Sequence, residues 1–402
     1  MTLGTMPGQT NFIAQFNTAI RAEFSLTHGQ FGGLYTIATM ASAATLVFTG
    51  GLADRLPARV LAIGSMLGLV ATALMMAGLT HVALLVVALA LLRFFGQGML
   101  SHVAMTTMSR WFNRFRGRAL SFAGLGFTVG EAALPFTITL AVLAFGWRNV
   151  WVATALVVLL AMIPLVWFLL RDPPDGRRAI AAGTVNPDAA VKGRPTGERW
   201  TRRNVLRDPL FWAILPGIMG PPAIGTLFIF HQAHLTELKG WDLGVYTASF
   251  PFLSITIALT SLYAGSLVDR FGAWRLMPVV LLPLALASLL IGLMQPQWAI
   301  PLIFVCFGLT QGMMNPIVGS LWVEMYGTAH VGAIRALASA ALVAASALGP
   351  GLAGALIDLG VDLDAQAFGY ALYGLGGAMT YLLLQQSFKR RASETADSLK
   401  VE

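Results

Sequence analysis

Charge is the scarcest commodity in this 402-residue chain: Asp, Glu, Lys and Arg together make up 11% of it, against 56% hydrophobic residues. Soluble domains carry about a quarter charged residues, so the chain has too little polar surface to coat a globule in water, and the water-soluble enzyme classes are excluded. Cysteine is nearly absent as well. Cys306 is alone, so neither an intrachain disulfide nor a cysteine metal cluster can form. No Gly-x-x-x-x-Gly-Lys-Ser/Thr nucleotide loop and no His-Glu-x-x-His pair occurs, which argues against ATP-driven pumping by this chain alone and against a metalloenzyme. We expect no cofactor and no bound metal.

What the chain has is apolar blocks. Val60 to Leu79, Val82 to Leu92, Val150 to Leu170, Met277 to Met294 and Ile300 to Leu309 contain no acidic or basic residue. With their flanks they reach the roughly 20 residues needed for one helical crossing of a bilayer. They are too long and too uniformly apolar for the alternating strands of an outer-membrane barrel. The predicted spans are Met1 to Ile20, Gly29 to Leu52, Val60 to Leu79, Val82 to Met108, Ala119 to Phe145, Trp147 to Leu170, Pro209 to His234, Gly244 to Leu267, Leu276 to Met294, Trp298 to Val323, Ala333 to Ile357 and Ala367 to Leu384. The fold class is therefore an all-α membrane protein of twelve transmembrane helices. Their short connections leave no room for an extramembrane catalytic domain.

The 26 Lys and Arg orient the bundle. Twenty-two fall in the connections after even-numbered helices or at the C-terminus, and only Arg21, Arg148 and Lys239 fall on the other side. The positive-inside rule then places both termini in the cytoplasm, as a multi-pass protein of the inner or plasma membrane. The net charge of +8 is accounted for by this topology and calls for no nucleic-acid partner.

The polar stretch Arg171 to Asp208, rich in Arg, Pro, Gly and Asp, reads as a linker between two halves. The predicted organisation is a six-helix bundle over 1–170, a cytoplasmic linker over 171–208, a second six-helix bundle over 209–386 and a cytoplasmic tail over 387–402. An internal repeat agrees with it. Gly50-Gly-Leu-Ala-Asp54-Arg55 recurs 215 residues later as Gly265-Ser-Leu-Val-Asp269-Arg270, and Gln97-Gly98-Met99 recurs as Gln311-Gly312-Met313. Such a duplication predicts two pseudo-symmetric bundles, with a solute path along their interface and alternating access by rocking one half against the other.

These residues also carry a family resemblance. Gly50-x-Leu52-x-Asp54-Arg55-x-x-x-Arg59 resembles the signature connection between helices 2 and 3 of the major facilitator superfamily, with Gly265 to Gly272 as its second-half copy. Arg93-x-x-Gly96-x-Gly98 is similar to the arginine motif of that superfamily's fourth helix. Trp111-Phe112, Arg116-Gly117-Arg118-Ala119 and Gly146-Trp147-Arg148 are common there too, including in the monocarboxylate and oxalate/formate exchanger branch. The resemblance implies a monomeric secondary transporter, driven by protons or by a counter-substrate. It also implies that Asp54, Arg55 and Arg59, with Asp269 and Arg270 in the second half, latch the halves in one state, Glu324 and Arg335 joining that network. The other reading of these residues is a set of solvated turns with topology-setting arginines.

Three departures stand out. Pro57 replaces the usual glycine of the first connection, whereas Gly272 keeps it in the second. Gly130-Glu131 stands where drug/proton antiporters of the superfamily show Gly-Pro. In Met1 to Ile20 only nine residues are apolar, so the apolar first part of helix 1 is expected upstream of Met1; an in-frame stop directly before Met1 would refute that expectation.

Inside the spans the candidate binding and coupling residues are few. Arg93 is the one basic residue well inside a span, and a charge at the bilayer centre costs at least ~2.5 kcal/mol on insertion scales. It should face a cavity or a partner, either anchoring an anionic substrate through its guanidinium or modulating a nearby carboxyl; a structural tie between helices is the other reading. Glu131 is the one acidic residue deep in a span, at similar depth, and could serve proton coupling or substrate contact; a permanent structural pair with Arg93 is the alternative. Gln9, Asn11, Gln15 and Asn17 are too polar for lipid contact and could line a cavity or bind neighbouring helices. His231 and His234, three residues apart, could share one helix face as a gate, or form interfacial hydrogen bonds. Gln311 and Asn315, one turn apart on helix 10, are candidates of the same kind. The expected function is secondary transport of a small organic solute, such as a carboxylate; an exporter of amphipathic compounds and a non-transporting membrane sensor remain as alternatives.

Overall fold

A computed structural model of the chain describes residues 1–111, 116–170, 200–327 and 330–398. Every regular element among these is helical, as expected of a backbone that must satisfy its own hydrogen bonds in hydrocarbon. The chain divides into two compact units, Met1–Gly193 and Arg194–Glu402. Most of the predicted linker, 171–199, lies outside the described residues.

The first unit opens with an irregular segment, a 3-10 helix over Thr2–Gly8 followed by short turns at Thr10–Ile13 and Ala14–Phe16. Then come α1 (Asn17–Phe24), α2 (His28–Thr49), α3 (Ala58–Ala77), α4 (Val82–Met108), α5 (Arg116–Phe145) and α6 (Trp147–Leu169). The second unit holds α7 (Pro209–Phe230), α8 (Leu243–Phe271), α9 (Ala273–Leu293), α10 (Ala299–Tyr326), α11 (Val331–Asp358), α12 (Leu363–Leu383) and α13 (Gln385–Ser398). Among the described residues ten helices are long and apolar enough to cross a bilayer, and α12 with the helix after it, bent by 51°, raises this to eleven. Large apolar side chains such as Phe48 (85% exposed) and Leu262 (77%) point outward from these helices. Aqueous proteins rarely expose such contiguous apolar surface, and lipid is the solvent that it fits.

Local signals set the helix ends. Thr27 and Gln30 form a reciprocal capping box at the start of α2, with Thr27 Oγ1 accepting from the Gln30 amide at 3.1 Å and Gln30 Oε1 accepting from the Thr27 amide at 3.0 Å. This satisfies two donors that the first turn otherwise leaves idle. At the far end of the third helix of each unit, a cation closes the last carbonyls. Arg148 donates to the Ala77 and Leu79 carbonyls at 2.7 and 2.8 Å and pairs with Glu23. Lys239 donates to the Gly292 carbonyl at 3.3 Å. Both complement the negative end of a helix dipole. Burial pushes the Lys239 ammonium below its ordinary pKa, with Asp364 opposing that shift.

The duplicated motif folds differently in the two units. In the second, α8 runs unbroken through Asp269 and Arg270 to Phe271, and Gly272 reverses the chain at φ +82°. The predicted end of helix 8 at Leu267 is thus four residues short, and Gly265 to Arg270 is helix rather than connection. In the first unit the equivalent of Gly272 is Pro57, whose ring fixes φ near −65° and forbids that turn. Here α2 stops at Thr49, a single helical turn spans Leu52–Arg55, Leu56 is extended, and Pro57 (φ −57°) caps α3.

The residues expected as a tail form α13 instead. Phe388 is fully buried in the core of the second unit, with the Tyr381 ring tilted against it at 6.4 Å between ring centres. One apolar side chain at the right register converts a polar segment into a docked helix.

Candidate substrate and coupling site

The N-terminal segment packs against α4 and α5 through glycines. A Cβ on Gly96 would lie 2.8 Å from the Gly8 Cα and 3.0 Å from the Thr5 carbonyl, and one on Gly8 would strike the Leu92 carbonyl and approach the Gln97 amide to 2.7 Å. Only bare backbone fits on both sides, which brings the irregular segment directly onto α4. There α4 is locally a π-helix over Arg93–Leu100, a widened turn that recurs at functional positions.

This contact gives Arg93 its surroundings. The side chain is 3% exposed. Nη1 donates to the Gly8 carbonyl and to Thr10 Oγ1, both at 3.2 Å. Thr10 Oγ1 in turn shares a 2.6 Å hydrogen bond with the Tyr35 hydroxyl of α2, and the guanidinium lies 5.3 Å from the Tyr35 ring centre. Nε is buried with no hydrogen-bond partner. Buried donors are nearly always paired, so an idle donor on a cation marks a position where something else belongs.

Glu131 sits half-buried on α5, beside Gly130, whose missing Cβ leaves room for Met6 of the N-terminal segment. Arg93 and Glu131 thus flank the same segment, and among the described residues they form no ion pair with each other. The permanent pair offered as one reading of the sequence is not the arrangement found. Of the polar run, Asn11 is buried with Oδ1 unpartnered, and Gln9 reaches Thr5 Oγ1 at 3.4 Å. Gln15 bridges the Asn11 carbonyl (2.8 Å) and Thr139 Oγ1 of α5 (2.7 Å), and Asn17 is buried.

In the second unit the two histidines part company. The α7 helix ends at Phe230, and a new one begins at Gln232 and runs to Lys239, and the two imidazoles take partners on different helices. His231 Nε2 lies 2.9 Å from the Pro350 carbonyl of α11, and His234 Nε2 lies 3.4 Å from Asp362 Oδ1 at the start of α12. Gln311 is half-buried with its amide against Gly225 of α7, whereas Asn315, one turn further along α10, is exposed. An apolar cleft of about 240 Å³ between α7, α11 and α12, lined by Leu227, Leu348, Tyr370 and Tyr373 among others, holds none of the candidate residues.

Among the expected latch residues, the side chains of Asp54 and Arg55 lie outside the described residues. Arg59 stacks on Trp167 of α6 at 3.5 Å. Asp269 and Arg270 are exposed. Glu324 accepts from the Ala273 and Trp274 amides at 2.7 and 3.0 Å, capping α9, and Arg335 donates to the Gly319 carbonyl at 2.6 Å. These three bonds are made to Ala273, Trp274 and Gly319 within the second unit, not to Asp269 or Arg270.

Two clusters escaped sequence reasoning. One is the Thr10 and Tyr35 pair. The other joins Asp208, which is 7% exposed, to the Leu210 amide (3.2 Å), the Tyr326 hydroxyl (2.9 Å) and Arg391 Nη1 (3.0 Å). Arg391 also lies over the Trp200 ring at 4.3 Å. The Asp208-Pro209 helix start was a legible signal; its partner on α13, 183 residues away, was not.

Comparison with known proteins places this geometry. A curated relative, the probable L-galactonate transporter of Escherichia coli K12, is 24% identical over 266 residues, covering 63% of this chain and 55% of the relative. The chain thus aligns with about half the length of that relative. Among solved structures, the inward-facing, unoccupied bacterial homolog of the human lysosomal transporter Spinster superposes with a TM-score of 0.74 at 15% identity, covering 97% of this chain and 95% of that one. The nucleoside transporter NupG gives 0.70 at 14% identity, covering 95% and 96%; at these identities the likeness concerns the fold alone. A profile of the Major Facilitator Superfamily matches residues 1–350, in agreement with the all-helical fold and the duplicated motifs: the chain belongs to the Major Facilitator Superfamily, a family of multi-pass membrane transporters.

Proposed function

We propose that the protein is a secondary active transporter of a small organic anion, with a carboxylate as the recognised group. The observation that carries this reading is the Arg93 guanidinium, buried, held by Gly8 and Thr10, and left with an idle Nε. A planar cation of this kind matches a carboxylate with two parallel hydrogen bonds. Its neighbours Gln9 and Asn11 are neutral donors and acceptors suited to hydroxyls on the rest of the cargo. The galactonate named for the curated relative is a hydroxylated carboxylate, which supports the same chemistry.

Glu131 supplies the coupling group in this reading. It flanks the segment that holds Arg93 without being neutralised by it, so it can exchange a proton as the cargo's negative charge arrives and leaves. The halves rock about the substrate in alternating access. Asp54, Arg55, Arg59, Asp269 and Arg270 latch one state at the cytoplasmic side, where both termini lie. His231, Gln311 and Asn315 belong to the second unit's contribution to the path. The protein works as a monomer in the inner membrane.

Flux through proteoliposomes tests the reading. Arg93→Ala should abolish uptake of an organic anion, and Glu131→Gln should leave exchange or binding intact while removing the pH dependence of net transport. Wild-type flux with wild-type pH dependence in both variants refutes it. A proton-coupled exporter of amphipathic compounds would instead show dye efflux insensitive to Arg93.

A further inference from the structure

The bonds around Arg93 define more than the sign of the cargo's charge. A guanidinium carries five N–H donors in a plane. Two acceptors, the Gly8 carbonyl and Thr10 Oγ1, take up Nη1 at 3.2 Å each. That closes the end-on edge formed by the two Nη atoms. Nε has no partner, and among the described residues no hydrogen bond of Nη2 is found. The open edge is therefore the side-on one, whose Nε–H and Nη2–H bonds run parallel and match the two oxygens of a single carboxylate.

The closure of Nη1 is itself braced. Thr10 Oγ1 is fixed by a 2.6 Å bond to the Tyr35 hydroxyl, whichever of the two donates, and Tyr35 is fully buried with its ring 5.3 Å from the guanidinium carbon. Thr10 also lies two residues after Gly8, whose contact with Gly96 holds the segment on α4. The orientation of the open edge is thus set by residues that need never touch the cargo.

The surroundings limit the charge that can enter. Among the described residues Arg93 is the one buried cation within the membrane spans; Lys239, also buried, is spent on a helix end outside them. The groups that contact Arg93, namely Gly8, Thr10 and Tyr35, are neutral, and Glu131 on α5 is acidic. A second carboxylate would have to be desolvated with no cation to meet it.

We infer that the site takes a carboxylate bearing one negative charge, seated on the Nε and Nη2 edge of Arg93, and that Thr10 and Tyr35 are positioning residues that hold that edge open. The inference rests on the organic-anion reading above and adds the charge count and the two residues to it.

The test uses purified full-length protein and two matched series of probes: galactonate, galactarate and galactitol, and lactate, malate and propane-1,2-diol. Within each series the skeleton bears one, two or no carboxylates. Binding is read from the concentration dependence of thermal stabilisation, because a ligand that prefers the folded state raises its apparent stability. The expected result is that at least one monocarboxylate binds and its dicarboxylate binds at least tenfold more weakly. A dicarboxylate as tight as its monocarboxylate overturns the one-charge inference and leaves the anion reading standing. Failure of all four anions, or a neutral polyol binding as tightly as its acid, overturns both. For the positioning role, Tyr35→Phe and Thr10→Val should raise the KM for the bound monocarboxylate at least tenfold with kcat within twofold, and Thr10→Ser should restore it. Unchanged KM in Tyr35→Phe, or Thr10→Ser as impaired as Thr10→Val, overturns that role.

Discussion

Replacing Gly96 with alanine adds one methyl group and should disturb both stability and the site. The new Cβ would stand 2.8 Å from the Gly8 Cα and 2.9 Å from its amide nitrogen, whereas carbon atoms in contact settle at about 3.5–4.0 Å. Both obstacles are backbone, so no side chain can swing aside, and the N-terminal segment must retreat by roughly 1 Å. The Gly8 carbonyl would move with it. Its bond to Arg93 Nη1, already 3.2 Å long, would stretch beyond hydrogen-bonding reach. Overpacking costs about 1–3 kcal/mol, and losing a hydrogen bond to a charged group about 1.5–3 kcal/mol, so a destabilisation of roughly 2.5–6 kcal/mol is expected. Gly124→Ala on α5 is the control, since a Cβ there meets nothing within 4 Å and should be neutral or stabilise by about 0.4–1 kcal/mol. Thermal unfolding of the two variants side by side decides the matter. A Gly96→Ala protein as stable as Gly124→Ala would show that the segment does not lie on α4 as described.

The remaining predictions concern other parts of the molecule. Asp208→Ala removes the shared acceptor of the Leu210 amide, Tyr326 and Arg391 and should cost about 3–5 kcal/mol, the range for breaking a buried ion pair from one side. Combined with Arg391→Met it should cost less than the two single changes added together, by more than about 1 kcal/mol; strict additivity would refute the coupling. Asp54→Asn should slow turnover more than it weakens binding, and an unchanged turnover rate would contradict the latch.

The spans were legible because lipid demands long apolar runs, and these leave an unmistakable trace in the composition. Arg93 was legible for the converse reason, as a charge where charge is costly. Its setting was not. Thr10 and Tyr35 are ordinary residues of a transmembrane sequence, and nothing in their local pattern announces that a glycine contact 85 residues away in sequence from Arg93 will bring them to it. The histidine spacing did not reveal the partners, because the Pro350 carbonyl and Asp362 lie 119 and 128 residues away in sequence. Pro57 shows the opposite case. Its departure from the glycine of the second copy was visible at once, and the consequence, a differently built reversal, follows from one locked dihedral angle. The docking of α13 fell between these cases, since only Phe388 distinguishes it from a solvated tail.

That last helix bears on how the protein can be handled. A polar C-terminal stretch invites trimming at the end of the last apolar run, or replacement by a purification handle. Cutting at residue 386 would delete Arg391 and Phe388 together, leaving the carboxylate at the start of α7 without its counter-ion and opening a hole where an aromatic ring had been. Handles are better carried beyond Ser398, and loss of yield on shortening would report a lost structural prop rather than a lost signal.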